Sequence, residues 1–416
     1  MKLIVQKFGG TSVKEEDGRQ RACLHVKKAV DEGYKVVVVV SAMGRKGDPY
    51  ATDTLLSLIG GNSTTLTKRE QDLLLSCGEI ISSLVFVERL IDQGISAQAL
   101  TGAQAGFYTN SDHTNAKILD MKTERLLEAL TVHDVVVVAG FQGACESGDV
   151  TTIGRGGSDT SASALGVAVE AEYIDIFTDV TGLMTADPRL TKKARALSVV
   201  TYNEVCNMAY QGAKIIHPRA VEIAMKAQIP IRIRSTFSAD SGTLVTSWEK
   251  REIDVDQKIR PVTGIAHVKN IAQIKVFAKK DQYNLQSEVF KAMAAANISV
   301  DFINISPTGV VYTVAAEVIE KAEEILTKLN HQPLIEYECA KVAVVGAGMT
   351  GVPGVTSTIV TALSEKGIRI LQSADSHSTI WVLVKNQDLV EAVNALHDVF
   401  QLQETLIMQP DQLEDE

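Results

Sequence analysis

The sequence predicts an α/β protein in which a mainly parallel sheet with helices on both faces is followed by two smaller βαββαβ modules. Three observations predict this arrangement. Within residues 1–246, short apolar runs alternate with amphipathic stretches. The apolar runs are continuous rather than alternating, as in strands that are covered on both faces. Beyond residue 262, one pattern of helix and strand occurs twice. We therefore expect one large domain and two related small ones.

The apolar runs of the first part are the predicted strands. Residues 36–40 and 135–138 are β-branched throughout and residues 174–177 are apolar except for Asp175, whereas residues 69–91 and 160–171 have helical periodicity. Strands that alternate with helices favour a parallel sheet. Small or polar residues follow each run, and ligands of open α/β sheets bind beyond the carboxyl ends of the strands. The strand ends are therefore where we expect the functional residues.

The second part contains an internal repeat. Residues 288–300 can be aligned with residues 358–370, and each copy continues into another strand and a second helix. With a strand in front, each copy has the order βαββαβ of a ferredoxin-like module. We predict a large domain over 1–246, a charged linker over 247–262, modules over 263–335 and 336–408, and a frayed acidic tail over 409–416.

Composition and charge narrow the range of functions. The 416 residues include 41 Lys and Arg against 51 Asp and Glu, which gives a formal charge of −10. Hydrophobic residues make up 45% and charged residues 22%, which excludes collagen-like and disordered chains. The acidic balance argues against nucleic acid and against an anionic membrane surface as partners. Small anions remain possible ligands, because backbone amides and a few local cations can bind them.

The cysteines and the start of the chain indicate a cytoplasmic protein. Five scattered cysteines without a C-x-x-C pair favour neither a disulfide framework nor a zinc site, and they fit a reducing compartment. The apolar stretch near Met1 is too short for a signal peptide, and no apolar run reaches the length of a membrane span.

One motif is a weak signal for a nucleotide site. Gly346, Gly348 and Gly351 form a G-x-G-x-x-G pattern between an apolar run and a helix. The position about 20 residues further on, where a dinucleotide site has an acidic residue, holds Leu371 or Gln372. The motif also lies inside the second repeat, so we interpret it as a glycine turn rather than a nicotinamide site.

Stronger signals lie at the ends of the predicted strands. Lys7 and the pair Gly9 and Gly10 follow the first strand directly. Adjacent glycines allow a close approach to phosphate oxygens, and successive N–H groups form a nest for anions. Residues 151–161 combine three glycines with Arg155 and Asp159. A structural loop rarely needs a cation, an anion and three glycines within six residues, so the sequence predicts an anion site here.

Two further segments are candidates for the functional site. Residues 178–189 are polar from a strand end through a turn, and residues 212–218 end in His217 and Pro218. We interpret His217 as a packed or turn residue rather than as a base or ligand. No G-x-x-x-x-G-K-[ST] motif occurs, which excludes the P-loop kinases.

Taken together, these motifs resemble those of the amino-acid kinase family, and specifically those of the aspartokinases. The motifs are KFGGTS at 7–12, TTIGRGGSDTSA at 151–162, TDVTGLMTADPR at 178–189 and GAKIIHP at 212–218. The repeat resembles the paired ACT regulatory domains of aspartokinases. The segment 47–53 and the divergent repeats look most like the Bacillus-type isozyme that meso-diaminopimelate regulates.

The resemblance implies an activity that suits the residues present. The reaction would be ATP + L-aspartate → ADP + 4-phospho-L-aspartate, with Mg²⁺ accompanying the triphosphate although the sequence contains no dedicated metal cage. The attacking carboxylate has a reference pKa of about 3.9 and is already ionised at neutral pH. No general base is required, which agrees with the lack of a convincing His–carboxylate pair. Catalysis should therefore depend on positioning and on neutralising charge.

The resemblance also implies roles for individual residues. Lys7 would contact the transferred phosphate, and Asp159 would hold Lys7 and Lys214. Arg155 would bind the α-carboxylate of the substrate and Glu79 its α-ammonium group. Thr52 and Ser158 would bind carboxylate or phosphate oxygens. The ATP site would consist of Lys7, Phe8, Gly9, Gly10, Ser41, Thr178, Asp179, Met184, Arg189 and Lys214.

Plainer interpretations exist for three of these residues. Glu79 could be a solvated glutamate at a helix start, and Thr52 could be an ordinary turn residue. Met184 stands where related enzymes often have a tyrosine near the nucleotide.

The repeats imply regulation by an amino acid, with meso-diaminopimelate favoured and lysine or threonine as alternatives. The first repeat lacks the Pro-Gly turn that the second keeps at Pro353 and Gly354. Candidate effector contacts are Asp281, Asn284, Gly354 and Asp375. ACT domains usually pair sheet to sheet, so we expect a homo-oligomer, at least a dimer.

Two other functions remain open at this point. Another amino-acid kinase would act on glutamate, acetylglutamate or a nucleoside monophosphate. A catalytically inactive sensor would keep the fold and the repeats, but it would have no need for Lys7, Arg155 and Asp159 together.

Overall fold

The computed structural model describes residues 1–213, 215–247, 261–279 and 283–404. It consists of two compact units. Among these residues, the first unit contains 1–183, 196–209 and 215–247, and the second contains 184–195, 210–213 and the residues from 261 onward. The predicted tail, nearly all of the predicted linker, Lys214 and Asp281 lie outside the described residues.

The first unit contains the predicted alternation of strands and helices. Its strands are β1 (Leu3–Phe8), β2 (Lys35–Val40), β3 (Ala97–Leu100), β4 (Phe107–Thr109), β5 (Ile118–Met121), β6 (Val135–Ala139), β7 (Gln142–Ala144), β8 (Val150–Thr152), β9 (Ile174–Thr178), β10 (Val199–Thr201), β11 (Ile231–Ser235) and β12 (Thr243–Thr246). Its helices are α1 (Gly10–Lys14), α2 (Glu16–Asp31), α3 (Thr52–Ser57), α4 (Lys68–Asp92), α5 (Glu124–Val132), α6 (Gly157–Ala168), α7 (Tyr202–Tyr210) and α8 (Pro218–Ala227).

Eight of these strands form one sheet in the order β10-β12-β11-β9-β1-β2-β6-β3. All neighbouring pairs are parallel except β11 and β12. β1 lies at the centre, where Phe8 is opposite Val40 of β2 and Phe177 of β9. The carboxyl ends of these three strands therefore meet at one edge of the sheet. The mainly parallel sheet that the sequence predicts is confirmed.

The continuous apolar runs are explained by helices on both faces of the sheet. On one face, the alternate residues Ile4 and Phe8 pack with Val26 of α2 and Phe86 of α4, and all four side chains are fully buried. On the other face, α6 packs on β1 and β9, and an added Cβ at Gly166 would lie 2.5 Å from Ile174. Strands covered on both sides are apolar at most positions on both faces, which is why the sequence identified them.

A four-stranded sheet in the order β5-β4-β7-β8 also belongs to the first unit, and it was not predicted. Its strands have three or four residues each. Such short segments show too little periodicity to be recognised from sequence. The sheet matters for function because β8 ends at Thr152, directly before the glycine loop at residues 154–157.

The second unit contains both predicted repeats. Its elements are β13 (Gly264–Phe277), α9 (Leu285–Ala295), β14 (Asp301–Ser306), β15 (Gly309–Ala315), α10 (Ile319–Lys328), β16 (Leu334–Val345), α11 (Val355–Glu365), β17 (Gln372–Asp375), β18 (Thr379–Lys385) and α12 (Leu389–Val399). The strands form one antiparallel sheet in the order β14-β15-β13-β16-β18-β17. The helices of each repeat pack on their own part of this sheet.

The two long strands are shared between the modules. The last seven residues of β13, Ile271–Phe277, pair with β15 of the first module. Its first part, 264–268, pairs with 341–345 at the end of β16, beside the second module. A register shift between Val268 and Ile271 separates the two parts. The first part of β13 therefore occupies the position of the fourth strand of the second module.

No helix among the residues that the structure describes is long and apolar enough to cross a membrane.

Candidate active site

A cavity of about 310 Å³ opens where the central strands end. The loops after β1, β2 and β6 and the glycine loop before α6 contribute to its wall, together with α3 and α4. Most of the residues predicted for substrate and phosphate lie there together. The lining residues are Lys7, Gly10, Ser41, Ala42, Gly44, Thr52, Glu79, Phe141, Gly154, Arg155, Gly156, Gly157, Ser158 and Asp159.

The turn from β1 into α1 requires glycine for reasons of space. A Cβ at Gly10 would lie 2.6 Å from the carbonyl oxygens of both Ala42 and Gly44. The backbone N–H of Gly44 donates to the carbonyl of Gly10 at 2.9 Å. The loops after β1 and β2 therefore pack backbone against backbone, and a side chain between them would separate the two walls of the cavity.

The glycine loop requires glycine for a conformational reason as well. Gly156 precedes α6 with φ 71°, in the left-handed region, and its Cβ would lie 2.2 Å from the ring of His217. The helix then begins at Gly157, so its first N–H groups lie at the cavity and favour negative charge there. His217 accepts a hydrogen bond from the N–H of Arg219 and caps α8, as expected for a turn histidine.

Lys7 and Asp159 form the ion pair of the cavity. Lys7 Nζ lies 2.7 Å from Asp159 Oδ1, and the side chains are 12% and 14% exposed. The backbone N–H of His217 donates to the second carboxylate oxygen at 3.3 Å. Lys7 comes from β1 and Asp159 from the first turn of α6. Two residues 152 positions apart in sequence therefore hold one ammonium group near the turn from β1 into α1.

Glu79 lies in the wall of the cavity with an unusual environment. Its side chain is 2% exposed, and Oε1 accepts a hydrogen bond from the N–H of Ala42 at 3.1 Å. Oε2 is buried and has no hydrogen-bond partner among the described residues. Burial raises the pKa of this carboxyl group to about 8, against the lowering effect of backbone hydrogen bonds. A buried, unpaired carboxyl group that lines a cavity is suited to a cationic ligand.

The other predicted substrate residues surround this carboxyl group. Arg155 is exposed in the glycine loop, and no described residue forms an ion pair with it. Ser158 is buried at the start of α6, and Thr52 is the first residue of α3. The cavity thus contains a cationic fork, a carboxyl group and two hydroxyl groups, which together could hold a small zwitterion.

The residues predicted for ATP are distributed more widely. Ser41 lines the cavity, whereas Thr178 is the last residue of β9 and Asp179 follows it, with Arg45 Nη2 2.8 Å from Asp179. The side chain of Phe8 is fully buried between aromatic rings, so only its backbone could contact a nucleotide. Met184 and Arg189 belong to the second unit, where Arg189 pairs with Asp187 at 2.7 Å.

The candidate effector residues lie in the second unit. Asn284 and Gly354 occupy equivalent positions, each directly before the first helix of its module. Gly354 has φ 95°, a conformation that asparagine adopts less readily than glycine. Asp375 is the last residue of β17 and is exposed.

Sequence reasoning missed a buried carboxylate behind the glycine loop. Asp72 of α4 is completely buried and accepts hydrogen bonds from Thr152 Oγ1 at 2.5 Å and from the N–H of Thr114 at 3.0 Å. His113 Nδ1 lies 2.9 Å away. Asp72 is seven residues before Glu79 on the same buried side of the helix, and that spacing of two acidic residues was the available signal. It ties the end of β8 to the helix that carries Glu79.

We expect Asp72→Ala to lower the free energy of unfolding by about 3 kcal/mol, because two buried donors and a histidine would lose their acceptor. Thermal and urea denaturation measure the change. Asp112→Ala is the matched control, since Asp112 is exposed one residue before His113. An equal effect of both substitutions would contradict a specific role for the Asp72 cluster.

A second cavity of about 530 Å³ lies beside β4, β5 and α5, lined by Tyr108, Lys122 and Arg125 among others. It is the larger of the two, but none of the residues predicted for substrate or nucleotide lines it. The concentration of ion pair, buried carboxyl group and helix N-terminus is found at the smaller cavity, which is therefore the candidate active site.

Comparison with known proteins agrees with this geometry. The Amino acid kinase family profile matches residues 2–235, and an ACT domain profile matches residues 334–398. The chain is 66% identical over 402 residues to Aspartokinase 1 of Bacillus subtilis, covering 97% of this chain and all of that protein. It is 38% identical over 411 residues to the aspartokinase of Geobacillus stearothermophilus, covering 97% and 98% of the two chains.

Two solved structures of Escherichia coli aspartokinase III are similar along nearly the whole chain. The complex with aspartate and ADP has a TM-score of 0.76 at 25% identity and covers 96% of this chain and 99% of that one. The complex with lysine and aspartate has a TM-score of 0.72 at 25% identity and covers 95% and 99%. The chain therefore belongs to the amino acid kinase family and, within it, to the aspartokinases.

Proposed function

We propose that the cavity at the ends of β1, β2 and β6 carries out the aspartokinase reaction, ATP + L-aspartate → ADP + 4-phospho-L-aspartate. The chain is an aspartokinase by family, and such a kinase transfers phosphate to the side-chain carboxyl group of aspartate. The observation that supports this site is one cavity that contains the Lys7–Asp159 pair and the buried carboxyl group of Glu79, whose Oε2 has no hydrogen-bond partner among the described residues.

Charge is the main obstacle in this reaction, because an anionic carboxylate must approach a triphosphate. Lys7 supplies a full positive charge at the turn after β1, and Asp159 holds it in position. The N–H groups at the start of α6 add partial positive charge in the same cavity. Fixed charges in a partly dry site stabilise the transferred phosphoryl group without reorganisation of solvent. No proton has to be removed from the substrate carboxylate.

The substrate is oriented by groups on opposite sides of its α-carbon. Glu79 receives the α-ammonium group, and Arg155 binds the α-carboxylate with its planar fork. Thr52 and Ser158 complete the oxygen contacts. The buried Glu79 favours a ligand that carries an ammonium group, since without that cation its ionised form would be buried without a counter-charge.

ATP is the phosphate donor, and the nucleotide would extend from the turn at Gly9 and Gly10 towards Ser41, Thr178 and Asp179. We assign Met184, Arg189 and Lys214 to the same site on the family motif alone. Mg²⁺ would be held mainly by the phosphates, since the carboxylates of Asp159 and Asp179 pair with cations. Among the described residues, no cluster of three or more His, Cys, Asp or Glu is arranged to hold a metal.

The test of the reaction is ADP release that depends on L-aspartate, with the acyl phosphate trapped as a hydroxamate. We expect hydroxamate in proportion to ADP, and none with L-glutamate or N-acetyl-L-glutamate as acceptor. A folded protein that forms no aspartate hydroxamate would overturn the proposed function.

We expect Arg155→Lys to raise KM for aspartate about tenfold, because a lysine replaces two parallel hydrogen bonds with one point charge. The KM for ATP and kcat should change little. Steady-state kinetics with each substrate varied in turn measure the difference. A selective loss of ATP affinity would instead assign Arg155 to the nucleotide.

Regulation is proposed to act through the second unit. The segment 184–195 lies between two parts of the catalytic sequence but folds within that unit. Thr185 Oγ1 lies 3.0 Å from His397 Nε2 of α12, and Asn394 of the same helix donates to the carbonyl of Leu190 at 3.0 Å. A change in the second module would therefore act directly on a segment that contains two candidate nucleotide residues.

The effector is proposed to be meso-diaminopimelate. Rates with meso-diaminopimelate, lysine and threonine at subsaturating substrate test this choice. Inhibition by meso-diaminopimelate alone is expected, and no response to any of the three would overturn it. We also propose a homo-oligomer joined through the ACT modules. A cytoplasmic location is proposed because all five cysteines are free, as in a reducing compartment.

A further inference from the structure

The loop after β2 carries a cation, Arg45, beside the turn that follows β1. The backbone of this loop is bonded to that turn, because the N–H of Gly44 donates to the carbonyl of Gly10 at 2.9 Å. At the base of the loop, the N–H of Ser41 donates to the carbonyl of Phe8 at 3.1 Å. Arg45 itself is exposed and does not line the cavity. It therefore stands outside the cavity, next to the glycine turn.

The backbone at Arg45 is held in one conformation by a carboxylate. Asp48 Oδ2 accepts a hydrogen bond from the N–H of Arg45 at 2.7 Å, and Asp48 Oδ1 lies 3.0 Å from Lys14 Nζ of α1. These two contacts, the backbone hydrogen bond above all, hold the pKa of Asp48 below its usual range. The carboxylate is thus ionised at neutral pH, and the turn that presents Arg45 is formed before any ligand binds.

The guanidinium group of Arg45 reaches across the end of β1. Its Nη2 donates to Asp179 Oδ2 at 2.8 Å. β2 and β9 are the two neighbours of β1 in the sheet, so the pair spans about 10 Å, twice the spacing of adjacent strands. Exposed ion pairs of this kind add little to stability. Within the described part of the chain, the guanidinium forms no other hydrogen bond or ion pair, so most of its donors remain available.

The arrangement repeats that of Lys7 on the inner side of the same turn. In both pairs, a carboxylate from another element holds a cation beside the turn at Gly9 and Gly10. The Lys7 side chain is 12% exposed in the cavity, whereas that of Arg45 is 72% exposed outside it. One ammonium group neutralises only part of the charge of a triphosphate. A guanidinium group with free donors presents the planar fork that binds phosphate oxygens in pairs.

We propose that Arg45 binds the phosphates that remain on the nucleotide, with Asp179 as its positioning residue, while Lys7 contacts the phosphate that is transferred. This inference rests on the proposed function, which places ATP along the glycine turn towards Asp179. Arg45 lies outside the cavity that contains Lys7 and Glu79, so it is remote from the reacting atoms. Its contact is the same before and during transfer, and such uniform binding lowers KM without changing kcat.

The test is calorimetric titration of the full-length protein with ADP in the absence of aspartate. Arg45→Ala should weaken ADP binding about tenfold, because a charge-assisted hydrogen bond is lost. Arg45→Lys should recover part of the loss, since it keeps the charge but not the fork. Lys46→Ala is the matched control, because it removes the same charge from the next, equally exposed position, and it should change ADP affinity less than twofold. In steady-state kinetics, Arg45→Ala should raise KM for ATP about tenfold and leave kcat and KM for aspartate within twofold.

Other outcomes overturn the assignment of Arg45. Unchanged ADP affinity in Arg45→Ala, or an equal loss in Lys46→Ala, would mean that Arg45 does not contact the phosphates. Tighter ADP binding by Arg45→Ala would mean that its pair with Asp179 obstructs the nucleotide. A lower kcat with unchanged KM for ATP would place Arg45 at the transferred phosphate instead. If the unsubstituted protein bound no ADP, this inference and the proposed function would both fail. ADP binding without formation of aspartate hydroxamate would overturn the proposed function alone.

Discussion

Lys7→Ala should lower kcat by about 10³-fold while leaving the fold intact. Removing one preorganised donor from a site of developing charge typically costs 10²- to 10³-fold, and Lys7 contributes a full charge next to the anion nest. Its side chain is 12% exposed and pairs with Asp159, so the ammonium group is already fixed before substrate binds. Measurement requires hydroxamate formation at saturating aspartate and ATP, with circular dichroism to verify the fold.

Two control variants test whether the effect is specific to Lys7 and whether the ammonium group must be held in place. Lys2→Ala changes an exposed lysine just before the same strand and should leave kcat unchanged. Asp159→Asn keeps the shape of the partner but releases the ammonium group, so we expect an intermediate loss. Turnover of Lys7→Ala within threefold of the unsubstituted protein would remove Lys7 from the reaction.

Glu79→Gln should raise KM for aspartate by about 10²-fold or more, because a buried charge pair with the substrate ammonium group is lost. The unsubstituted protein should also show a pH dependence that the variant lacks. With a pKa of about 8, Glu79 is mostly neutral at pH 6 and must lose its proton to pair with the ammonium group. KM for aspartate should therefore fall about tenfold per unit between pH 6 and 7 and become constant above about pH 9.

The stability of the folded protein should decrease as pH rises, whereas its affinity for aspartate should increase. The pKa of Glu79 is raised on folding from its ordinary value of 4.5, so between pH 4.5 and 8 the folded state holds a proton that the unfolded state releases. Its contribution to stability therefore decreases as pH rises through this window. Glu79→Gln should raise the melting temperature at pH 8.5 and change it little near pH 4.5. Glu70→Gln on the same helix is the control, and the same pH profile in both variants would contradict the argument.

The sequence was informative wherever a residue's environment follows from its neighbours in the chain. The strand from 36 to 40 is covered on both faces, so its five consecutive valines and their neighbours identified it. Lys7 and Gly10 follow a strand end, and Arg155 and Asp159 lie in a glycine loop, so local motif and position were sufficient to predict that they meet. Helix 69–91 was predicted within one residue at each end, because its periodicity extends over six turns.

Residues whose role depends on distant partners were not predictable in this way. Asp72 looked like one acidic residue among many, because its partners Thr114 and Thr152 are 42 and 80 residues away. Glu79 could equally have been a solvated residue, and only the packing of α4 against the loop at Ala42 buries it and raises its pKa. The strands of the small four-stranded sheet are stabilised by pairing with each other. Strands of three or four residues are too short to show a hydrophobic periodicity in the sequence.

Residue patterns along the chain were sufficient to specify the class of fold, the repeated modules and the set of cations and glycines at the strand ends. These features depend on hydrophobic periodicity and on backbone conformations that local residue types specify. Only in the folded chain is it evident that segment 184–195 folds with the second unit, that β13 pairs with both modules, and that one carboxylate oxygen of Glu79 has no partner among the described residues. Those outcomes depend on which distant surfaces exclude water from each other, and a linear pattern does not contain that information.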